Sequence, residues 1–166
     1  MVDVAFQRNQ EGLLLLLFDW AKAFDRITVS SMLSALRRFG LPEEFVHMID
    51  GIYRARLCVI IDHTGTSSER LQDCGIAQGC PLSTYFFIMV QTVMLHDVFA
   101  NVILEDEPDF IVTNDVLYAD DTLLASSSVL NMQRLINAIV HEGANYGLDI
   151  NWSKTIKIQV STPHII

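Results

Sequence analysis

The sequence predicts an α+β fold in which an antiparallel sheet is backed by helices. Two observations predict it. Short apolar runs mix with segments of helical period without strict strand-helix-strand alternation, and the expected element order is β-αα-ββ-α-ββ-α-β. The chain has 166 residues, 51% of them hydrophobic, which suffices for one domain with a single core. No internal repeat or linker-like tract indicates a domain boundary.

The first predicted strand covers residues 13–19 and ends on a carboxylate. Its residues are apolar up to Asp19, which is typical of a strand buried on both faces. Because an unpaired charge is costly inside a core, Asp19 is expected to face a cleft or solvent.

Two helices are predicted next. In the first, Thr28 or Ser30 caps a segment with apolar residues at helical spacing, and Gly40 ends it. This apolar face comprises Val29, Met32, Leu33, Leu36 and Phe39. The second helix begins after Pro42. Its predicted buried face comprises Phe45, Met48, Ile49 and Ile52.

The middle of the chain is predicted to form a hairpin, a loop and a buried helix. Residues 56–62 and 67–73 favour strands around a turn. Residues 75–81 form the loop, and the helix covers residues 82 to about 100. Because Gln91 interrupts its apolar stretch, we expect core packing and no membrane association.

Residues 110–118 and 122–126 are predicted to form a second hairpin, joined by Ala119, Asp120 and Asp121. Adjacent carboxylates repel each other unless a cation binds there, and an ordinary solvated turn is the alternative. A helix from Ser127 or Ser128 to Gly147 and a strand over residues 156–160 complete the prediction.

Asp19 favours the cation over the solvated turn. Two central strands that end on the same side would bring Asp19, Asp120 and Asp121 together. Three such carboxylates can bridge two Mg²⁺ ions about 3.5–4 Å apart, which activate an attacking hydroxyl and stabilise a leaving pyrophosphate.

Charge and cysteines restrict the function classes. A formal net charge of -9 by itself argues against binding to a polynucleotide. Cys58, Cys74 and Cys80 lack zinc-ligand spacing and are expected to be free thiols. The amino terminus lacks the pattern of a signal peptide, so we expect an intracellular, non-secreted protein.

Four segments carry a resemblance to a known family. Residues 18–25 read Phe-Asp-Trp-Ala-Lys-Ala-Phe-Asp, residues 75–83 read Gly-Ile-Ala-Gln-Gly-Cys-Pro-Leu-Ser, and residues 118–121 read Tyr-Ala-Asp-Asp. Residues 147–155 read Gly-Leu-Asp-Ile-Asn-Trp-Ser-Lys-Thr. In this order they resemble motifs of the reverse transcriptase palm, in the form typical of non-LTR (LINE-like) retrotransposons.

The resemblance implies a metal site and catalytic residues. Asp19, Asp120 and Asp121 correspond to the family's catalytic carboxylates, and the main-chain carbonyl of Trp20 to a further metal ligand. The implied cofactor is a pair of Mg²⁺ ions, with Mn²⁺ as the alternative. Lys154 would protonate or bind the leaving pyrophosphate, unless it is an ordinary surface lysine.

The resemblance also implies contacts to substrate. Phe24 would exclude a ribose 2′-hydroxyl, so the nucleotide would be a deoxynucleoside triphosphate, or it would only pack in the core. Gln78, Gly79 and Tyr118 would contact nucleotide or template. Asp25 is expected to start a helix or to bond a loop, and not to bind metal.

The implied function is RNA-directed DNA polymerisation on a primed RNA or DNA template. Residues 1–166 would form one palm domain with part of the fingers, lacking the upstream fingers and the thumb. Those basic segments, or a larger polyprotein, would supply most phosphate contacts and so account for the acidic charge. The alternatives are a non-catalytic retroelement remnant and another palm-type nucleotidyl transferase, such as a cyclase.

Overall fold

A four-stranded antiparallel sheet and the helices that cover it form the fold in the computed structural model. The structure describes residues 13–54, 56–72, 74–102, 116–118, 121–126 and 128–160. The strands are β1 (Leu13–Asp19), β2 (Leu57–Cys58), β3 (Ile61–Asp62), β4 (Gly65–Thr66), β5 (Arg70–Leu71), β6 (Val116–Tyr118), β7 (Asp121–Ser126) and β8 (Ile156–Val160). The helices are α1 (Ala23–Arg26), α2 (Val29–Phe39), α3 (Glu43–Tyr53), α4 (Pro81–Asn101) and α5 (Val129–Asn145). The α+β prediction is confirmed.

Strand β1 is central in the sheet, whose order is β6-β7-β1-β8 with every neighbouring pair antiparallel. Its leucines are buried or half-buried on both faces, which explains the continuous apolar run. Leu14, Leu16 and Phe18 belong to the main core, together with residues of the helices. This packing fixes the strand whose last residue is Asp19.

Helix α2 has the ends that its sequence predicts. The Thr28 side chain accepts a hydrogen bond from the Ser31 backbone N–H, and Gly40 follows the last turn with a φ of 101°. Helix α5 begins in the same way, because the Ser128 side chain accepts from the Asn131 N–H. The other predicted cap, Ser127, lies outside the described residues.

Helix α4 contacts both α2 and α5 and lies in the centre of the helical layer. Among the described residues it is the one helix long and apolar enough to cross a membrane by length and composition. Val90, Met94 and Val98 on this helix are fully buried against the protein core. Core packing therefore accounts for the apolar residues on the buried side of the helix.

The predicted buried face of α3 is wrong in part. Ile49 is buried, but Phe45, Met48 and Ile52 are exposed. The core side is formed instead by Val46, Ile49 and Tyr53. The sequence of this helix contains two adjacent apolar stripes, and tertiary contacts decide between them. Tyr53 ends the packed stripe, and its hydroxyl accepts a hydrogen bond from the Ala77 N–H at 3.4 Å.

The hairpin after α3 is present, with shorter strands and a tighter turn than predicted. Strand β2 pairs with β5 and β3 pairs with β4, so Gly65 and Thr66 belong to a strand and not to the turn. Two elements were not predicted: the single turn of α1, and a 3-10 turn at Trp152–Lys154.

The second hairpin is present where the structure describes it. Strands β6 and β7 pair in antiparallel register, with Tyr118 opposite Asp121. Asp121 is the first residue of β7, whereas the sequence placed it in the connecting tip. Residues 110–115, Ala119 and Asp120 lie outside the described residues. Strand β8 covers the predicted residues.

Candidate active site

The carboxyl end of β1 opens into a cleft of about 870 Å³. Apart from Thr84, the residues that line it belong to three of the four motif segments. The first segment contributes Asp19, Trp20, Ala21, Lys22, Ala23, Phe24 and Asp25. The second contributes Gln78, Gly79, Cys80, Pro81 and Ser83, and the last contributes Asn151 and Lys154. The fold thus gathers segments that are more than 100 residues apart in sequence.

Asp19 and Asp121 lie directly opposite each other on adjacent strands. They are the last pair in the register of β1 with β7. Residues opposite each other in an antiparallel pair project to the same face, and like charges in such a pair destabilise the sheet. Asp19 is 9% exposed, so little water is available to screen its charge. Asp120, the third predicted carboxylate, lies outside the described residues.

Trp20 continues β1 and bridges to Ile150. The two hydrogen bonds of this bridge run from the Asn151 N–H to the Asp19 carbonyl and from the Ala21 N–H to the Asp149 carbonyl, both 2.8 Å long. Neither bond uses the Trp20 carbonyl, the group predicted as a metal ligand. The indole is buried, contacts Phe18 edge-to-face and donates to the Thr122 hydroxyl at 3.3 Å.

Lys154 lies at the carboxylate and not on a remote surface. Its Nζ donates to Asp19 Oδ2 at 2.7 Å. The 3-10 turn that ends at Lys154 brings it there, because the Lys154 N–H donates to the Asn151 carbonyl. The Asn151 side-chain amide also donates to Asp19 Oδ2, at 3.4 Å. The last motif therefore contributes a cation beside the first carboxylate.

Phe24 lines the cleft and contacts the core residue Phe87. Its ring stacks on Phe87 of α4, with centroids 4.9 Å apart and an angle of 25° between the planes. Phe24 therefore packs against the core, and its role in excluding a 2′-hydroxyl stays a prediction. A ring stacked on a fully buried partner has little freedom to move away from a ligand.

Gln78 and Gly79 lie in the loop before α4 and also line the cleft. The Gln78 Nε2 donates to Asp25 Oδ1 at 2.8 Å. Asp25 therefore bonds a loop, as the sequence predicts. Gly79 has a φ of 82°, and an added Cβ there would meet no atom within 4 Å, so the backbone borders open space. Tyr118, the last residue of β6, pairs with Asp121.

A second cavity of about 380 Å³ adjoins the first at the carboxylate. It is lined by Leu17, Phe18, Asp19, Asp121, Lys154 and Ile156. Asp19 and Lys154 line both cavities. A ligand in either cavity would therefore meet the same ion pair.

Behind the cleft, an ionic cluster joins three helices. Arg38 of α2 donates to Asp97 of α4 at 2.6 Å and to the Tyr146 hydroxyl, at the end of α5, at 2.9 Å. The hydrogen bonds from Arg38 lower the pKa of the Asp97 carboxyl. Burial raises the pKa of the Tyr146 hydroxyl. This cluster connects α2, α4 and the end of α5.

A divalent cation fits the chemistry of the donor set. Two opposed carboxylates, and a main-chain carbonyl beside them, offer the oxygen ligands that hard cations prefer, and a cation would offset the repulsion between the acids. Among the residues that the structure describes, no group of three or more His, Cys, Asp or Glu side chains could hold a metal ion. The third acid of the expected set, Asp120, is not one of them.

Sequence reasoning missed four residues that shape the site. Thr122 and Phe87 support Trp20 and Phe24 through contacts between distant segments. Asn151 ties the last motif to Asp19, and its place within that motif was the available signal. Lys22 lines the cleft with a φ of 52°, the one non-glycine residue in the described chain with positive φ.

Comparison with known proteins identifies the family. The model of the family "Reverse transcriptase (RNA-dependent DNA polymerase)" matches residues 2–164. A Xenopus laevis protein, "Transposon TX1 uncharacterized 149 kDa protein", is 26% identical over 152 residues, which cover 90% of this chain and 12% of that protein. The Drosophila melanogaster "Retrovirus-related Pol polyprotein from type-2 retrotransposable element R2DM" is 25% identical over 142 residues, covering 86% of this chain and 13% of the polyprotein.

Solved structures share the fold. Apo telomerase from Candida tropicalis matches with a TM-score of 0.70 at 14% identity, over 95% of this chain and 30% of that one. Telomerase from Candida albicans, in complex with a fragment of telomeric RNA, matches with a TM-score of 0.67 at 19% identity, over 97% of this chain and 29% of that one. The chain spans only about an eighth of its two retroelement relatives and, by the family match over nearly its whole length, it belongs to the reverse transcriptase (RNA-dependent DNA polymerase) family.

Proposed function

We propose that this chain carries the catalytic centre of a retroelement's RNA-directed DNA polymerase, which extends a primer 3′-hydroxyl with deoxynucleoside triphosphates. The observation that carries the proposal is the pairing of Asp19 with Asp121, with Lys154 bonded to Asp19. Asp19 and Lys154 line both cavities, and Asp121 lines the smaller one. The family match and the two retroelement relatives support the same reaction.

In this proposal Asp19, Asp120 and Asp121 hold two Mg²⁺ ions, with the Trp20 carbonyl as a further ligand and Mn²⁺ as the alternative metal. Members of the family generally use a divalent metal. When bound, the ions lower the pKa of the attacking hydroxyl and offset the charge that develops on the phosphate oxygens. The opposed acids supply the negative charge that binds them.

Phe24 selects the sugar by excluding a 2′-hydroxyl from the larger cavity. Its stacking on the buried Phe87 supports this role, because a ring that cannot retreat enforces a steric clash. Gln78, Gly79 and Tyr118 contact template or nucleotide. The position of Gln78 and Gly79 in the wall of the same cavity supports this role.

Lys154 serves the leaving group. Its ammonium donates to the Asp19 carboxylate, and Lys154 lines both cavities. In this proposal, when cations occupy the acids, the ammonium donates a proton to pyrophosphate or binds its charge.

The chain works as one palm domain, with part of the fingers, within a longer protein. The matched region is only about an eighth of each relative, and the net charge of -9 calls for basic surfaces elsewhere to bind nucleic acid. Upstream fingers and a thumb would supply them. The template would be RNA or DNA with an annealed primer.

Primer extension by the full-length protein tests the proposal. The assay supplies RNA or DNA template, primer, deoxynucleotides and Mg²⁺, and compares the wild type with Asp19→Asn and Asp120→Asn. We expect extension by the wild type and a loss of about 100-fold or more in each variant, the scale for removing a group that stabilises transition-state charge. Asp62→Asn is the control, because Asp62 only caps the turn of the exposed hairpin.

Three outcomes would overturn the proposal. An inactive wild-type protein would identify a non-catalytic remnant. Extension that survives Asp19→Asn and Asp120→Asn would place catalysis elsewhere. Equal losses in these variants and in the Asp62→Asn control would indicate a general effect of charge.

A further inference from the structure

We infer that Asp25 is a positioning residue that holds the side-chain amide of Gln78 in one orientation in the cleft. This inference rests on the proposed function, because orienting Gln78 matters only if that amide contacts nucleotide or template. Asp25 itself need not touch the substrate. Its effect would pass through Gln78.

The chemistry of the Asp25–Gln78 contact determines which end of the Gln78 amide faces Asp25. Gln78 Nε2 donates to Asp25 Oδ1 at 2.8 Å. An ionised carboxylate only accepts hydrogen bonds, so the nitrogen of the amide must face Asp25 and the carbonyl oxygen must face away. A neutral partner that both donates and accepts would permit either orientation. The carboxylate therefore selects one of two amide orientations.

The backbone holds the two side chains at this distance although they are 53 residues apart. The Ile76 N–H donates to the Phe24 carbonyl at 2.7 Å, and the Gly75 N–H donates to the Ile27 carbonyl at 2.8 Å. These two bonds enclose Asp25 and dock the loop onto its segment. Main-chain bonds thus set the approach, and the side-chain bond sets the rotation of the amide.

Gly75 permits the close approach. It has a φ of 91°, and a Cβ added there would lie 3.1 Å from the Asp25 carbonyl oxygen. Few residues other than glycine adopt this backbone conformation, and a side chain would push the loop away from Asp25. The backbone of both segments therefore holds these two exposed side chains within hydrogen-bonding distance.

Asp25 and Phe24 are neighbours in sequence and act on the same cavity. The ring of Phe24 is held by Phe87, and the amide of Gln78 is held by Asp25. Phe24 and Gln78, the two side chains proposed to contact the nucleotide in this cavity, are therefore each fixed by a residue that is not itself proposed to contact the substrate. With the amide so oriented, its carbonyl oxygen and second N–H remain for a nucleotide base edge or sugar hydroxyl.

The competing explanation is a surface hydrogen bond that only stabilises the loop. Asp25 is exposed, so such a bond would affect stability little. The two explanations differ in which property changes. If Asp25 orients the Gln78 amide for the substrate, Asp25→Asn alters nucleotide use, and it has no further effect once Gln78 is truncated. A bond that only stabilises the loop predicts a small loss of stability in Asp25→Asn and in Gln78→Ala, with nucleotide use unchanged in both.

The test is a double-mutant cycle with the full-length protein. Asp25→Asn, Gln78→Ala and the double variant are compared for KM and kcat of the matched deoxynucleotide and for the rate of misincorporation. We expect Asp25→Asn to raise KM or misincorporation roughly 2- to 10-fold, the range for one hydrogen bond, with little change in kcat. In the Gln78→Ala background the same change should have no further effect. Asp62→Asn again serves as the control.

A reversed pair tests the direction of the bond. In the double variant Asp25→Asn with Gln78→Glu, the amide donates from position 25 and the carboxylate accepts at position 78. The amide orientation at Gln78 is then lost, but the contact is restored. We expect loop stability like that of the wild type and nucleotide selectivity that remains altered. Wild-type selectivity in this variant would overturn the inference.

A measurement independent of catalysis separates this inference from the proposed function. In protein labelled with ¹⁵N-glutamine, the Gln78 side-chain amide, assigned by its loss in Gln78→Ala, should exchange slowly and become mobile in Asp25→Asn. An unchanged amide signal, or an additive kinetic cycle, would overturn the inference. A wild-type protein that extends no primer, yet shows the coupled amide, would overturn the proposed function alone.

Discussion

The indole nitrogen of Trp20 donates a hydrogen bond to the Thr122 hydroxyl, and this contact joins the ends of the two strands that carry Asp19 and Asp121. Trp20 is 2% exposed and Thr122 is fully buried, so water cannot replace either partner. Each partner directly follows a carboxylate in sequence. The bond therefore helps to keep the two strand ends, and with them Asp19 and Asp121, at a fixed separation.

Thr122→Val should lower stability and weaken cation binding. The substitution keeps the shape of the side chain but leaves the buried indole N–H without its acceptor, which costs about 1–3 kcal/mol. Thr122→Ser retains the hydroxyl and should bind cations as the wild type does. Urea unfolding and Mn²⁺ titration provide the measurements. Equal Mn²⁺ affinity in the valine and serine variants would contradict a role for this bond at the acids.

Gln91→Leu should stabilise the protein. Gln91 lies on α4 at 1% exposure, and within the described part of the chain its amide has no hydrogen-bond partner. Leucine has a similar volume and no polar atoms, so the substitution removes a desolvation cost of about 1–3 kcal/mol. The urea midpoint should rise. Gln133→Leu is the matched control, because Gln133 is exposed and bonded to Asn137, and should bring no such gain. A lower midpoint for Gln91→Leu would contradict an unpaired amide.

Local signals in the sequence predicted most elements and part of the site. Strand β1 and helix α2 have the predicted bounds, because an apolar run, the Thr28 cap and Gly40 act within a few residues. Asp19 was predicted at a strand end for the same reason. The structure places it opposite Asp121, and Lys154 beside it.

Contacts between distant segments could not be predicted in this way. The buried face of α3 depends on which of its two apolar stripes meets the rest of the core. Tyr53 lies on the buried stripe, and its partner Ala77 is in a later loop, so the local sequence of the helix does not indicate this contact. Likewise, Thr122 lies 102 residues from Trp20, and neither residue indicates the other in sequence. Such pairs follow from topology, which hydrophobic periodicity does not encode.

Asp97→Asn should reduce the loss of stability in acid. Arg38 lowers the pKa of the Asp97 carboxyl in the folded state. A lowered pKa stabilises the fold above the unfolded value, about 3.9, and that contribution is lost as the pH falls through the folded value. Urea unfolding from pH 7 to pH 3 should therefore show a smaller decline below about pH 4 in the variant than in the wild type.

Tyr146→Phe tests whether the effect belongs to the ion pair. This variant removes the hydroxyl that contacts both Arg38 and Asp97 but leaves their direct bond in place. Its decline in stability below about pH 4 should resemble that of the wild type. If Tyr146→Phe instead behaves like Asp97→Asn, the hydroxyl and not the ion pair would control the response to acid.

Lys154→Ala should bind divalent cations more tightly than the wild type and yet polymerise more slowly. The Lys154 ammonium bonds to Asp19 Oδ2, the carboxylate that is proposed to bind the cations, so ammonium and cation compete for it. Lys154 is largely exposed, and such a pair is worth about 0.2–1 kcal/mol, which corresponds to a rise in Mn²⁺ affinity of roughly 1.5- to 5-fold. Loss of a proton donor to pyrophosphate should slow extension about 100-fold or more.

Lys154→Arg separates the two roles of this residue. Arginine retains the positive charge beside Asp19 but does not deprotonate in proteins, so it can neutralise the carboxylate and cannot transfer a proton. Its Mn²⁺ affinity should stay near that of the wild type while extension remains slow. Near-normal extension by Lys154→Arg would show that charge alone suffices. A fall in Mn²⁺ affinity in Lys154→Ala would show that the lysine supports the acidic site and does not compete for it.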